Sequence, residues 1–241
     1  MAESPLQQFK IEPLVPLHIG HLDASFTNSS LLMVIAVVAI TAFVVLSMGK
    51  AAIIPGRWQS AAELSYEFIA DMVRENCGTA GMRYAPWVFS IFMFVLFGNF
   101  LGMIPYSFTF TSHIIVTFAL ALMVFVVVTL IGLIRHGLHF FTFFFPHGAP
   151  VALAPLIVPI EILSYLSRPI SLSIRLFANM LAGHTMLAVF GGFTITLGIF
   201  GVLPLAVNVG LILFEFLVAA LQAYVFTVLT CLYLKDAIEL H

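Results

Sequence analysis

From Ala85 to Ile134 the chain contains no Asp, Glu, Lys or Arg. That run sets what the chain can fold into, because a soluble domain carries roughly 25% charged residues and this chain carries 8% against 62% hydrophobic. It is also too long for one helix standing upright in about 30 Å of hydrocarbon. Pro105 and the polar cluster Ser107, Thr109, Thr111 and Ser112 divide it into two spans. The chain therefore reads as an integral membrane protein.

The remaining segments extend this reading. Ser29 to Met48 is uncharged and about 20 residues long, the length that crosses a bilayer. Between Ala51 and Tyr84 the charged residues collect, Arg57, Arg74 and Arg83 with Glu63, Glu67, Asp71 and Glu75, while Trp58, Ala61, Ala62, Phe68, Ile69, Met72 and Val73 recur at helical spacing. This stretch is expected to form an amphipathic helix along the membrane surface. The connection from Arg135 to Pro150 is rich in Phe and His, as at a headgroup interface. Two long apolar segments follow, about 150–190 and 199–234. At 1.5 Å per residue each is roughly twice the hydrocarbon thickness. Each either breaks into two spans or lies strongly tilted. With Gly191 and Gly192 as the expected turn and no comparable polar break inside either segment, a tilted antiparallel hairpin is preferred.

The expected fold is thus all-α, with five membrane-crossing helices and one amphipathic surface helix. Residues 1–28 form an outside tail, 29–149 the first span, the surface helix and two further spans, and 150–241 the hairpin. The opening residues lack a basic region leading straight into an apolar core, so no cleaved signal peptide is read. Lys50, Arg57, Arg74, Arg83 and Arg135 flank two loops on one side, which the positive-inside rule places in the cytoplasm. The N-terminus is then outside, and five crossings put Lys235, Asp236 and His241 inside.

Within the hairpin segments the only charged side chains from Val151 to Leu234 are Glu161, Arg168, Arg175 and Glu215, accompanied by Asn179, His184, Asn208 and Gln222. A charge at bilayer depth costs from about 2.5 to more than 10 kcal/mol and faces a cavity or a partner. Arg cannot shed its proton to avoid that cost, whereas Lys can. Glu161, Arg168 and Arg175 recur every seven residues, about two helical turns, and drift slowly round one face. Asn179 lies one turn beyond Arg175. Glu215 and Gln222 repeat the spacing on the second helix, so folding the hairpin sets Gln222 near the depth of Arg175 and Glu215 nearer the turn with His184. Arg168, just before Pro169, reads either as functional or as an arginine snorkelling to the interface.

Other features exclude function classes. A net charge of −2 offers no basic surface for nucleic acid. Cys77 and Cys231 are too few and too far apart for a disulfide framework or metal knuckle, and are expected to be free thiols. His136, His139 and His147 lack an accompanying carboxylate or thiol, so no metal is expected, and no cofactor. Gly98 and Gly102 form a small-xxx-small pair that permits close packing. No phosphate-binding loop or nucleophile elbow occurs, so no nucleotide site or hydrolytic site is expected on this chain.

The run LSRPISLSIRLFANMLAGH, with EFLVAALQAYVFTVLTCLYLKDAIELH further on, resembles subunit a of the F-type proton-translocating ATP synthase, in alphaproteobacterial and mitochondrial style. The likeness extends through the surface helix and HGLHFFTFFFPHGAP. It implies that Arg175 is the stator arginine facing the carboxylate on each subunit of a rotating c-ring. Glu161 would match the acidic group of the cytoplasmic exit path, Ser171 and Asn179 polar neighbours of the arginine, and Gln222 the glutamine opposite it. His184 and Glu215 would match the pair lining the inlet from outside, in the reverse of the order other members show. Where some members carry acidic residues around the third helix, this chain has Gly102 and Ser107. The implied partners are the c-ring, peripheral-stalk b-type subunits, the other ATP synthase subunits and membrane lipid. The implied place is an energy-coupling membrane, the bacterial inner membrane first and the mitochondrial inner membrane second. A stand-alone secondary proton or cation transporter is the rival reading, although the two halves show none of the internal repeats such proteins carry.

Overall fold

A computed structural model describes residues 10–16, 18–19, 22–23, 25–49, 54–104, 108–137, 139–140 and 153–239. Lys50, Pro105, Ser107, His147 and His241, with most of the Phe- and His-rich connection, lie outside the described residues. The elements are β1 (Pro13–Val15), β2 (His18–Ile19), β3 (Leu22–Asp23) and β4 (Phe26–Thr27), then α1 (Asn28–Met48), α2 (Arg57–Gly81), α3 (Ala85–Gly102), α4 (Ile114–His136), α5 (Ala154–Thr196) and α6 (Val202–Ile238). Among the described residues, five helical stretches are long and apolar enough to cross a membrane, in agreement with the expected all-α membrane fold. The strands add short antiparallel ribbons to the N-terminal segment, β1 with β4 and β2 with β3.

Local chemistry sets the helix starts. At α1 the Thr27 side chain accepts a hydrogen bond from the Ser30 backbone N–H at 3.3 Å, satisfying one of the unpaired donors that open any helix. α2 has the expected two-faced character, with Ala62, Ile69, Met72 and Val73 buried. Trp58 and Phe68, expected on the same face, are instead 73% and 49% exposed. Phe68 nonetheless packs against Phe92 of α3 and Tyr224 of α6, with ring centres 6.3 and 6.0 Å apart. The helix is interrupted at Gly78, whose φ of +64° an L side chain rarely adopts.

α5 and α6 are continuous and over-long. With 43 and 37 residues they extend roughly 65 and 55 Å, about twice a hydrocarbon core of about 30 Å. α5 stays helical despite Pro159 and Pro169, each of which removes one backbone donor. It also stays helical through Gly191 and Gly192, so the expected turn there is corrected to Leu197–Gly201. A mid-helix glycine costs only about 1 kcal/mol relative to alanine. What closes the turn is Gly198 at φ +53°, together with Gly201, where an added Cβ would lie 2.3 Å from the Thr194 carbonyl oxygen.

The core forms where α6 crosses the other helices. Leu172, Leu176 and Met180 of α5 and Ala223 and Phe226 of α6 are essentially inaccessible. Phe100 of α3 stacks on Phe216 at 4.4 Å between ring centres. The Cys77 thiol donates to the Cys231 carbonyl at 3.2 Å, and both cysteines are free, as expected. In a bilayer such contacts act through packing and hydrogen bonding, since lipid tails are as apolar as the core. Their effect is to hold one face of the hairpin against α2, α3 and α4. The other face is left outside.

Candidate functional site

Because α5 is one helix, the order of its polar residues along the axis is fixed. Glu161 lies fourteen residues before Arg175, roughly 21 Å, and His184 nine residues after it, roughly 14 Å. Arg175 is exposed on the outer face of the hairpin, as are Ser171 and Asn179, one turn to either side. Among the described residues no hydrogen bond or ion pair reaches the Arg175 guanidinium. Glu161 is half-buried, and it too has no such partner among the described residues.

The two helices meet in pairs of polar residues. Asn179 Nδ2 donates to Gln222 Oε1 at 2.8 Å, linking the α5 polar face to a glutamine that is 3% exposed. One heptad closer to the turn, His184 Nδ1 lies 3.1 Å from Glu215 Oε1, with side-chain exposures of 11% and 5%. This contact is at ion-pair distance without hydrogen-bond alignment, and both Glu215 carboxyl oxygens lack a hydrogen-bond partner among the described residues. Glu215 thus lies by His184, as its spacing leads one to expect, while Gln222, expected at the depth of Arg175, bonds Asn179 one turn beyond it.

Three features of the site carry no local spacing signal. Thr109 Oγ1 lies 2.8 Å from His184 Nε2 and donates to the Gly102 carbonyl at 3.0 Å, although it is 75 residues from His184 in sequence. Asn99, wholly buried on α3, donates to the Ala219 carbonyl at 3.1 Å, one turn from Glu215 on α6. Gly183 provides the slot for the Glu215 side chain, since a Cβ built there would lie 2.6 Å from Oε1. The Gly98 and Gly102 pair permits close packing of an unexpected kind. The added Cβ atoms would meet Phe110 at 2.5 Å and Thr109 at 2.5 Å, so the glycines admit the side chains of residues 109 and 110 rather than another helix backbone.

Arg168 resolves differently from Arg175. Its Nη1 donates to Asp236 Oδ2 at 2.7 Å, and its guanidinium lies 5.1 Å from the ring centres of both Tyr165 and Tyr233. Arg168 thus forms a latch between α5 and the end of α6. Although Arg168 and Arg175 share a seven-residue repeat, Arg175, unlike Arg168, has no counter-charge from α6 among the described residues.

The arrangement is a line of titratable groups at depth, divided by one exposed permanent cation. Comparison with known proteins gives it a context. The family model described as ATP synthase A chain matches residues 30–235. The chain is 58% identical over 239 residues to the ATP synthase subunit a of Rhodospirillum rubrum, covering 99% of each. It is 57% identical over 245 residues to that of Paramagnetospirillum magneticum, again covering 99% of each. With the subunit a of Parvibaculum lavamentivorans it shares 59% identity over 242 residues, 98% of this chain and 93% of the relative.

Proposed function

Because this chain belongs to the ATP synthase subunit a family, we propose that it is the F0 stator subunit in which Arg175 couples proton flow to rotation of a c-ring. The observation that carries the proposal is the position of Arg175. Its guanidinium is exposed on the hairpin, lacks a partner among the described residues, and stands between Glu161 along α5 on one side and the Glu215–His184 pair on the other. A charge left so at membrane depth calls for a carboxylate on another chain.

The mechanism follows from what that charge does. Protons enter from outside by Glu215 and His184 and leave to the cytoplasm by Glu161. A proton passing straight between the two half-channels would have to pass Arg175, which repels it. The same charge favours the ionised form of a ring carboxylate beside it. A carboxylate leaving Arg175 toward lipid must first take up a proton, and one arriving from the other side must release its own. Transfer is thereby tied to movement of the ring. The energy at stake is about 2.3 kcal/mol per charge per 100 mV, which a leak past Arg175 would dissipate. Ser171, Asn179 and Gln222 keep the surroundings of the guanidinium polar, the last two through their mutual hydrogen bond.

The chain sits in a bacterial inner membrane with its N-terminus outside and C-terminus in the cytoplasm, a reading supported by the loop arginines. Its further partners are peripheral-stalk b-type subunits. A stand-alone transporter is not favoured, because the family match spans nearly the whole chain. Copurification tests the assignment. A ring of small helical-hairpin subunits, each with one membrane carboxylate, accompanies this chain when it is solubilised gently. Recovery of the chain alone, active in proton transport, contradicts it.

A further inference from the structure

We infer that Thr109 is a positioning residue that fixes the tautomer of His184 and so makes Nδ1, the nitrogen facing Glu215, the one that exchanges protons. The inference rests on the proposed role of His184 and Glu215 in proton transfer and deepens it.

The hydroxyl of Thr109 has one hydrogen and faces two groups, the Gly102 carbonyl oxygen at 3.0 Å and His184 Nε2 at 2.8 Å. A carbonyl oxygen can only accept, so the hydroxyl hydrogen that serves Gly102 is not available to the ring. If Nε2 were a bare lone pair, two acceptors would compete for that single hydrogen in a site where Thr109 is 4% exposed. Both contacts are satisfied only when Nε2 carries a hydrogen and donates it to Thr109 Oγ1. An unsatisfied buried group is costly, which selects this state.

With Nε2–H fixed, Nδ1 is the ring nitrogen that faces Glu215, 3.1 Å away. A neutral ring then presents a lone pair at Nδ1, and it sits favourably against a protonated carboxyl group. A protonated ring presents N–H, and it sits favourably against the carboxylate. In either state one proton lies between Nδ1 and Oε1, and moving it from one to the other leaves the pair's total charge unchanged. Rotation of the carboxyl group brings the contact into line, as proton-transfer contacts often tighten only in the working complex. The geometry around Thr109 is built for this. Gly102 has no Cβ, and one placed there would lie 2.7 Å from Thr109 Oγ1. Ser112 Oγ donates to the Thr109 carbonyl at 2.6 Å, and the 110–112 turn packs against α5. Among these contacts Glu215 is the charged partner of His184, while Thr109 meets it with a neutral hydroxyl.

The test uses inverted membrane vesicles holding the whole complex, with ATP-driven acidification normalised to the amount of this chain. Thr109→Val keeps the shape and removes the hydroxyl, and it is expected to slow pumping by about fivefold, the ratio that follows from losing one hydrogen bond. Thr109→Ser restores the hydroxyl and is expected to return the rate to within about twofold of the unaltered complex. If Thr109→Val pumps normally while His184→Ala is slow, the inference is overturned and the path reading stands. Equal slowing by Val and Ser also overturns it, since the hydroxyl would then not be the active feature. Normal pumping in Thr109→Val, His184→Ala and Glu215→Gln alike removes the path reading itself. In the unaltered complex, the 15N resonance of His184 Nε2 is expected to be that of a protonated ring nitrogen. An unprotonated Nε2 overturns the inference without any substitution.

Discussion

Gly183 and Glu215 share one slot between α5 and α6, where a Cβ at position 183 would stand 2.6 Å from the Glu215 carboxyl oxygen and 2.9 Å from its carboxyl carbon. The glycine is thus what lets an acidic side chain lie across the neighbouring helix and reach His184. Small residues serve membrane helices mainly by letting other groups approach. Here the group admitted is a carboxyl.

Gly183→Ala is therefore expected to displace Glu215 and lower ATP-driven proton pumping by about tenfold, in keeping with an overpacking cost of about 1–3 kcal/mol. Acidification rates in vesicles with matched amounts of the complex check this. An unchanged rate would mean that Glu215 keeps its function from another position.

For the inlet pair itself, Glu215→Gln is expected to slow proton flow by about tenfold, and adding His184→Ala to bring the loss to about a hundredfold, within the range of a positioned proton-transfer group. The comparison is passive proton conductance of the membrane sector. Wild-type rates in the double variant would show the assignment to be wrong.

Arg168 and Asp236 give a prediction of the opposite kind. Their side chains are 19% and 34% exposed, so the pair stands between a solvent-exposed bridge and a buried one. Loss of either partner is expected to cost about 1–2 kcal/mol, above the surface value of roughly 0–1 and below the 3–5 of a fully buried pair. Arg168→Gln and Asp236→Asn should each lower the temperature at which the solubilised complex releases this chain, and the double variant should lower it little further. Pumping per assembled complex should stay near that of the unaltered protein. A selective loss of pumping would place Arg168 in the proton path instead.

The residues differ in how far they could be read before the fold was known. Charge scarcity and segment length define the five spans, because a bilayer enforces both. The seven-residue repeat of α6 brings Glu215 to His184, because a regular helix converts spacing into position, whereas the bond of Gln222 to Asn179 beside Arg175 is set by the packing of the two helices. The turn was misplaced because Gly191 and Gly192 look like a break, yet a helix absorbs glycine cheaply. Thr109 and Asp236 escaped because their contacts run between segments distant in sequence, His184 with Thr109 and Arg168 with Asp236. No period within one helix encodes such a contact. Arg168 and Arg175 show the same limit. They share a sequence face, and only the fold separates the latched arginine from the exposed one.

The role of Arg175 is tested by coupled ATP synthesis in vesicles from Arg175→Ala and Arg175→Lys strains in which the complex still assembles. No synthesis is expected in either variant. Alanine removes the barrier charge, and lysine supplies a compact ammonium that lacks the planar guanidinium fork and can lose its proton when buried. Normal ATP synthesis in either variant, with the complex intact, would contradict this role.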